Sequence, residues 1–361
     1  MNEKGTFRGE QRAGSGILDR ASKLASRASS TGRATLDDVA KRVGVSTITV
    51  SRAFGRPDKV SEDLRRRIQQ AADDLGYVRN RAASALASNR SMNIAVLVPS
   101  LSNSVFVDTV TGIEKVFRAH GYQMLMGVNH YSAEEEEALV RAYLAFAPDG
   151  MLLTGFNYRE ATRQLIDQAG IPIVHMMELS DREGTYSVGF SQEAAAQAMT
   201  EHLLAKGHRR IAFVASQLDP RTLARNRGYR DTIIKAGLYE SHREVLVPDQ
   251  SSVALGAALL RRLLEQAPDT DAVFFCNDDL AQGALFECLR RGIQVPNQLA
   301  VAGFNDLPMS ECSVPSLTTI ATPRYDIGVQ SAHMLLALIE GQTVPRKTID
   351  LGFQLRARES A

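Results

Sequence analysis

The stretch from residue 34 to residue 90 constrains the fold most, because its helix start and stop signals follow one another at short intervals. Thr35 suits a helix N-cap, and Asp38, three residues later, can close a capping box. Gly44 ends this first helix, and Ser46 can cap a second helix almost at once. Two short helices joined by a glycine-containing turn predict a helix-turn-helix.

The second predicted helix has two faces with different chemistry. The inward face is expected to consist of Val50, Ala53 and Phe54, and the exposed stripe of Thr47, Ile48, Ser51 and Arg52. Such a stripe can enter a major groove, where Arg52 can make a bidentate contact to guanine and Thr47 and Ile48 can touch a thymine methyl. A third helix is predicted between Ser61 and Gly76. Its expected buried residues are Leu64, Ile68, Ala72 and Leu75.

Four motifs between Thr35 and Ser88 carry a family resemblance: TLDDVAKRVGVS, TVSR, VSEDLRRRI and LGYVRNRAASALAS. Together they resemble the DNA-binding domain of the LacI/GalR family of bacterial transcription regulators. The resemblance implies that a homodimer binds a palindromic, double-stranded operator DNA. The predicted DNA-contacting residues are Thr35, Ser46, Thr47, Ile48, Thr49, Ser51, Arg52, Asn80, Arg81, Ala83 and Leu86.

Residues 80–92 resemble the hinge helix and linker of that family. The resemblance implies that the hinge helix pairs with its twin and inserts Leu86 into the minor groove. An apolar wedge there partly unstacks a base step and kinks the duplex. Leu86→Ala is therefore expected to reduce operator bending while ligand binding stays intact. Taken alone, the segment also fits a solvated linker between domains.

Charge is distributed unevenly along the chain. Residues 1–90 hold 18 Lys and Arg against 10 Asp and Glu, a balance of +8, whereas the rest holds 24 against 31, a balance of −7. A basic head on an acidic body suits a nucleic-acid-binding module joined to a module of another kind. Residues 1–33 are predicted to be a disordered basic arm, and 34–79 the DNA-binding domain.

The cysteines and the apolar runs bear on the compartment. The three cysteines follow no metal or disulfide spacing, which favours a reducing environment. We find neither a secretory h-region nor an apolar run of membrane-spanning length. The prediction is a cytoplasmic protein without a membrane partner.

From residue 93 onward, short apolar runs alternate with amphipathic helices. The runs lie at 94–98, 124–128, 150–154 and 171–176 in a first set, and at 210–216, 272–278, 299–306 and near 350 in a second set. Continuous apolar strands that alternate with helices predict parallel sheets covered on both faces. The predicted fold class is α/β, with a helix-turn-helix domain followed by a two-lobed core over 93–361 that resembles periplasmic binding proteins.

Ligands of such sheets bind beyond the carboxyl ends of the strands. Arg221 and Arg225 are four residues apart and share a helix face, and the resemblance places the effector-binding arginine at Arg225. Asn305 stands where many relatives carry an aspartate that binds sugar hydroxyls. A buried carboxylate favours arginine and no competing anion, so we expect an acidic effector. The predicted effector-binding residues are Phe106, Arg221, Arg225, Asn277, Asp278 and Asn305.

Alternatives remain open at this site. Arg221 and Arg225 also fit surface ion pairs, and Asp278 and Asp279 also fit helix N-capping. The motifs PSLSNSVF, DPRT, CNDDLAQGALFEC and DLGFQL resemble the gluconate-utilisation repressor branch of the family. This implies gluconate or a related sugar acid, with a neutral sugar or 2-ketogluconate as the alternative.

Two other protein classes fit this sequence less well. An enzyme is disfavoured because the chain has no P-loop, G-x-S-x-G elbow or G-x-G-x-x-G fingerprint, and no cofactor or metal is expected. A solute-binding protein would share the two-lobed fold but would have no use for residues 34–90. Few residues follow Phe353 and they form no leucine heptads, which favours a dimer over a tetramer. The helix over 106–120 is the candidate pairing surface.

Overall fold

The computed structural model describes residues 33–78, 90–101 and 104–361, which form two compact units that divide between Ser91 and Met92. The predicted basic arm lies outside the described residues apart from Arg33. The predicted hinge residues Asn80, Arg81, Ala83 and Leu86 also lie outside them.

The first unit is a three-helix domain. Its helices are α1 (Leu36–Val43), α2 (Thr47–Gly55) and α3 (Glu62–Asp74), with a 3-10 turn at Pro57–Lys59. The predicted capping box is present, because the Thr35 amide donates to Asp38 Oδ2 at 2.8 Å and the Asp38 amide donates to Thr35 Oγ1 at 3.3 Å. Gly44 ends α1 in the left-handed conformation, with φ of 77°. Val39, Val50 and Ile68 form the centre of the small core.

One predicted core residue of this unit is wrong. Leu75 is 36% exposed, because α3 ends at Asp74 and Leu75 lies in the turn that follows. Ala71 is buried in α3 beside Ile68 and Ala72. The helical face therefore passes through Ala71 rather than Leu75, as expected when the last turn of a helix leaves the core.

The second unit contains two parallel sheets covered by helices. The first lobe comprises β1 (Asn93–Val98), α4 (Ser104–Ala119), β2 (Gln123–Val128), α5 (Ala133–Leu144), β3 (Gly150–Thr154), α6 (Glu160–Gln168), β4 (Ile173–Met176), β5 (Tyr186–Gly189), and the later α12 (Arg324–Ile339) and β11 (Thr348–Asp350). Its sheet has the strand order β11-β5-β4-β3-β1-β2.

The second lobe comprises α7 (Gln192–Ala205), β6 (Ile211–Ser216), α8 (Pro220–Lys235), a 3-10 turn (Ser241–Arg243), β7 (Glu244–Val247), α9 (Val253–Gln266), β8 (Ala272–Phe275), α10 (Asp278–Arg291), β9 (Ala300–Ala302), α11 (Pro308–Cys312), β10 (Thr319–Ala321) and β12 (Gln354–Arg356). Its sheet order is β7-β6-β8-β9, and β10 and β12 form a separate antiparallel pair. The chain therefore passes between the lobes three times, at residues 190–191, 322–323 and 351–353.

Glycines let the helices of each lobe approach closely. A Cβ atom at Gly112 in α4 would overlap the Tyr325 carbonyl of α12, and one at Gly228 in α8 would overlap the Glu193 carbonyl of α7. No side chain fits at these crossings, so the helix backbones are in direct contact. The contact between α7 and α8 fixes the position of α8, the helix on which both predicted effector-binding arginines lie.

The predicted fold class is confirmed, with differences in detail. The strand β2 was expected to be buried but is an edge strand, and Met126 is 42% exposed. The run near residue 350 was assigned to the second set, but β11 pairs with β5 in the sheet of the first lobe. The strands β5 and β7 and the pair β10–β12 were not predicted. No helix within the described ranges is both long and apolar enough to span a membrane.

Candidate functional site

The helix α2 of the three-helix domain presents the predicted stripe to solvent. Ile48 is 62% exposed, and Ser51 and Arg52 are also exposed. Val50 and Ala53 on the opposite face are buried. An exposed isoleucine beside an exposed arginine on a short helix has the chemistry needed to read a thymine methyl and a guanine edge.

Three of the predicted DNA-contacting hydroxyls take part in helix caps. The Thr49 amide donates to Ser46 Oγ at 3.2 Å, and the hydroxyls of Ser46 and Thr49 are 2.9 Å apart. Thr35 caps α1 and its hydroxyl donates to Asp38 Oδ2 at 2.7 Å. These side chains hold the helix ends in place, and their contact with DNA stays a prediction.

A cavity lies between the two lobes of the second unit and is open to solvent, with about 540 Å³ of empty space when its solvent-open part is included. Five of the six predicted effector-binding residues line it, and Asp278 does not. The lining residues are Val105, Phe106, Tyr131, Met177, Phe190, Gln192, Ser216, Gln217, Asp219, Arg221, Thr222, Arg225, Asn277, Asn305 and Thr322.

Arg225 reaches the cavity with only neutral groups as partners. Its Nε donates to Gln192 Oε1 at 2.8 Å and its Nη1 donates to the Cys276 carbonyl at 2.6 Å. The guanidinium lies over the Phe304 ring, 3.9 Å from the centroid. No carboxylate of the described ranges lies within 4 Å of it, and burial lowers its pKa. Arg225 therefore carries a charge that no direct ion pair compensates.

Arg221 is ion-paired. Its Nη2 donates to Asp219 Oδ2 at 2.9 Å, and its guanidinium lies 5.6 Å from the centroid of the Phe106 ring. Burial alone would lower the Arg221 pKa, but the carboxylates of Asp219 and Glu178 raise it above its ordinary value. Arg221 therefore forms an ion pair, but the pair is largely shielded from solvent and does not lie on the surface as the alternative expected. Its role in effector binding stays a prediction.

Two further carboxyl groups lie near Arg221, those of the buried Glu136 and the half-buried Glu178. Burial raises the pKa of Glu136 to about 7, and Arg221 lowers it only in part. Burial likewise raises the pKa of Glu178, with Arg221 and Arg225 opposing the shift. The expectation that no competing anion lies near the arginines is therefore wrong, because Asp219 lines the cavity itself.

Asp278 has a structural role. Its Oδ1 accepts from Thr319 Oγ1 at 2.6 Å, and its Oδ2 accepts from the Leu307 amide at 2.8 Å and from Ser310 Oγ at 2.9 Å. The prediction that Asp278 binds the effector is wrong, since its carboxylate points into this network. The N-capping alternative is wrong as well, because Asn277 caps α10 through the Leu280 amide.

Several polar atoms of the cavity have no hydrogen-bond partner among the described residues. The hydroxyls of Ser216 and Thr322 are buried and make no hydrogen bond to any described residue. The Asn305 side chain, 4% exposed, also makes none within the described part of the chain. Asn277 differs, because its amide nitrogen donates to Ser251 Oγ at 2.8 Å. Buried polar groups without partners are rare, so this wall suits a polar ligand.

The chain matches two protein-family descriptions. Residues 35–80 match "Bacterial regulatory proteins, lacI family", and residues 200–361 match "Periplasmic binding protein-like domain". The chain is 54% identical over 330 residues to the HTH-type transcriptional regulator GntR of Pseudomonas aeruginosa, which covers 91% of this chain and 96% of that protein. The chain belongs to the lacI family of bacterial regulatory proteins.

A second relative and a solved structure agree with this assignment. The GntR regulator of Escherichia coli K12 is 41% identical over 90% of this chain and 97% of its own length. The lac repressor dimer, solved with operator and the anti-inducer ONPF, superposes with a TM-score of 0.80 at 27% identity over 91% of this chain and 99% of that one. LacI-family members bind DNA as regulators, so the chain is a DNA-binding transcriptional regulator and not an enzyme.

Sequence reasoning missed several cavity residues of this LacI-family protein. Asp219 could have been found, because an aspartate before Pro220 is a strong helix N-cap signal and its side chain accepts from two amides of α8. Gln192 follows β5, a strand that was not predicted. Thr322 lies in a segment between the lobes and has no local signal.

Proposed function

We propose that this LacI-family regulator represses genes of sugar-acid metabolism and leaves its operator when a small acid of the gluconate type binds in the cavity. The proposal has a DNA half and an effector half. Each half is supported by a different part of the chain.

On the DNA side, α2 enters a major groove and the chain acts as a homodimer on a palindrome. The support is the exposed stripe that includes Ile48 and Arg52. Because each head reads one half-site, two-fold symmetry of the protein requires an approximately palindromic operator.

On the effector side, Arg225 carries the proposal. It is the cavity-lining arginine that pairs with no carboxylate of the described residues, whereas Asp219 already neutralises Arg221. A cation held by neutral groups in a partly dry site favours an incoming anion. We therefore assign the carboxylate of the effector to Arg225.

The rest of the cavity suits a polyhydroxylated chain. The hydroxyls of Ser216 and Thr322 and the amide of Asn305 offer donors and acceptors that no described residue uses. Phe106 contributes an aromatic ring to the wall of the cavity on the side of the first lobe. A six-carbon sugar acid has hydroxyls that can bond to Ser216, Thr322 and Asn305. It also has a carbon backbone that can pack against Phe106.

Calorimetry with gluconate, 2-ketogluconate, 6-phosphogluconate and glucose tests the effector. We expect at least one acid to bind more tightly than glucose. Arg225→Gln should weaken that acid by about 10- to 150-fold, the value of a hydrogen bond to a charged group. The matched control is Arg227→Gln, two residues away, where the arginine is 58% exposed and paired with Glu193 at 3.3 Å.

The result that would reject the sugar-acid assignment is tighter binding of glucose than of every acid. Equal losses in the Arg225→Gln and Arg227→Gln variants would reject the role of Arg225 but keep the acid. The two halves of the effector argument are therefore tested separately.

A further inference from the structure

Arg324 contacts both lobes through one guanidinium. It is the first residue of α12, and its Nε donates to Asp108 Oδ2 in α4 of the first lobe at 2.9 Å. Its Nη1 donates to the Asn305 carbonyl and its Nη2 to the Asp306 carbonyl at 3.3 Å, both in the second lobe. The side chain is 11% exposed, so these contacts are largely shielded from water.

The two carbonyls belong to a segment with unusual backbone conformation, residues 303–307, which we call the cavity loop. Asn305 has φ of 117° and Asp306 has φ of 55°, although neither is a glycine. Such conformations are strained for residues with a side chain and persist only where the surroundings fix them. The cavity loop is therefore held in place by its contacts.

Side chains from both lobes supply these contacts. Asp278 accepts from the Leu307 amide at 2.8 Å, Thr319 Oγ1 accepts from the Asp306 amide at 3.4 Å, and Arg358 donates to Asp306 Oδ1 at 2.8 Å. These three residues belong to the second lobe. Among the side chains of the described ranges that hydrogen-bond to the loop, Arg324 is the one that comes from the first lobe.

The same loop residue serves the cavity and Arg324. The Asn305 side chain lines the cavity, while its carbonyl accepts from Arg324. On the other side, Phe106 lines the cavity two residues before Asp108, and Thr109 Oγ1 donates to the Arg324 carbonyl at 3.1 Å. A ligand that moves the side-chain amide of Asn305 therefore also moves the Asn305 backbone carbonyl, which accepts a hydrogen bond from Arg324 of the first lobe.

We propose that Arg324 is a positioning residue that couples ligand binding in the cavity to the first lobe, through its hydrogen bonds to the cavity loop. In this proposal Asp108 orients the Arg324 guanidinium. The coupling role of Arg324 rests on the proposed function only for the choice of ligand. The local effect on the cavity loop does not depend on any ligand.

The coupling is measured by calorimetry with gluconate, with and without an operator fragment selected from the protein's own genome. In the unaltered chain the operator should weaken gluconate binding by about 5- to 150-fold. In Asp108→Ala and Arg324→Gln this factor should fall towards one, while gluconate affinity without operator stays within about threefold. A residue that only supports the fold would lower the affinity itself and leave the factor unchanged.

Arg356→Gln is the matched control. Arg356 is 51% exposed and approaches Asp306 Oδ2 only at 3.9 Å, and it forms no ion pair with a first-lobe residue of the described ranges. Its substitution should leave the operator effect on gluconate unchanged. Asp108 is 46% exposed, so Asp108→Ala keeps the test available if Arg324→Gln does not fold.

Hydrogen exchange of the ligand-free chain provides a second readout. The Asn305 amide donates to the Ile320 carbonyl at 2.8 Å. Exchange at residues 305–307 should be faster in Asp108→Ala and Arg324→Gln but not in Arg356→Gln. If no sugar acid binds the unaltered chain, the proposed function fails, and unchanged exchange in both variants then overturns the role of Arg324. If gluconate binds, an unchanged operator effect in both variants overturns it.

Discussion

Arg221 and Arg225 are one helical turn apart, but different groups surround their charges. The Asp219 carboxylate pairs with Arg221, whereas Gln192, the Cys276 carbonyl and the Phe304 ring surround Arg225. Spacing alone made the two arginines equivalent. The difference comes from Asp219, which follows β6 and also caps the helix that carries both arginines.

Glu136 leads to a prediction for stability against pH. Its side chain is buried, and burial raises its pKa from 4.5 to about 7. The folded state thus favours the protonated form, so stability is full below pH 4.5 and is lost as pH rises towards 7. Glu136→Gln should gain stability relative to the unaltered chain by up to about 3 kcal/mol between pH 4.5 and pH 8.

Urea unfolding at both ends of that pH range measures the gain. Glu137→Gln is the control, because Glu137 lies next in α5 and is paired with Arg141 at 3.1 Å. A gain for Glu136→Gln that is the same at both pH values would contradict the titration of Glu136.

Arg52 leads to a prediction for DNA readout. Its exposed position on α2 suits a contact to a base edge, which carries sequence information that a phosphate contact lacks. Arg52→Ala should cost about 1–3 kcal/mol of binding to the operator and less on random DNA. Fluorescence anisotropy on both fragments measures the two losses. Equal losses would assign Arg52 to the phosphate backbone.

Among the elements, the pair α7 and α8 gives the sharpest prediction. Gly228 has no room for a side chain because its Cβ would overlap the Glu193 carbonyl. Gly228→Ala must separate the two helices and should lower the free energy of unfolding by about 1–3 kcal/mol. Denaturant unfolding checks this value. Asp231→Ala, at an exposed position of α8, should change it by less than about 0.5 kcal/mol.

Element by element, apolar runs predicted most of the parallel sheets. The strand β3 was predicted at its observed bounds, because GMLLT is continuously apolar up to its last residue. The strands β5 and β7 were missed because YSVG and EVLV are four residues long and each includes a polar residue. Strands this short are defined by pairing with neighbours that are distant in sequence.

The candidate site was predictable where a residue type determines the role. Asn305 and Arg225 were placed at strand and helix positions that do line the cavity. Asp278 was misassigned because its sequence position does not reveal that its carboxylate turns away towards Thr319 and Ser310. Direction of a side chain depends on tertiary packing, which a linear pattern does not contain.

For the whole molecule, the proposed release mechanism requires that operator and effector change each other's binding affinity by the same factor. A ligand shifts the equilibrium between two states only by its differential affinity for them. The factor by which gluconate weakens operator binding must equal the factor by which operator weakens gluconate binding, about 5- to 150-fold in typical coupled systems. Titrations in both directions, by anisotropy and by calorimetry, measure the two factors. Unequal factors would require a further partner in the cycle.

The three passages of the chain between the lobes have a consequence for protein engineering. Neither lobe is a continuous segment, because α12 and β11 return to the first lobe after the second lobe has formed. A chimera that exchanges one lobe therefore needs a junction at each of residues 190–191, 322–323 and 351–353. The division between Ser91 and Met92 needs one junction only. In biosensors built from this chain, the DNA-binding specificity can thus be exchanged with a single fusion junction. A new ligand specificity is more accessible through point substitutions in the cavity.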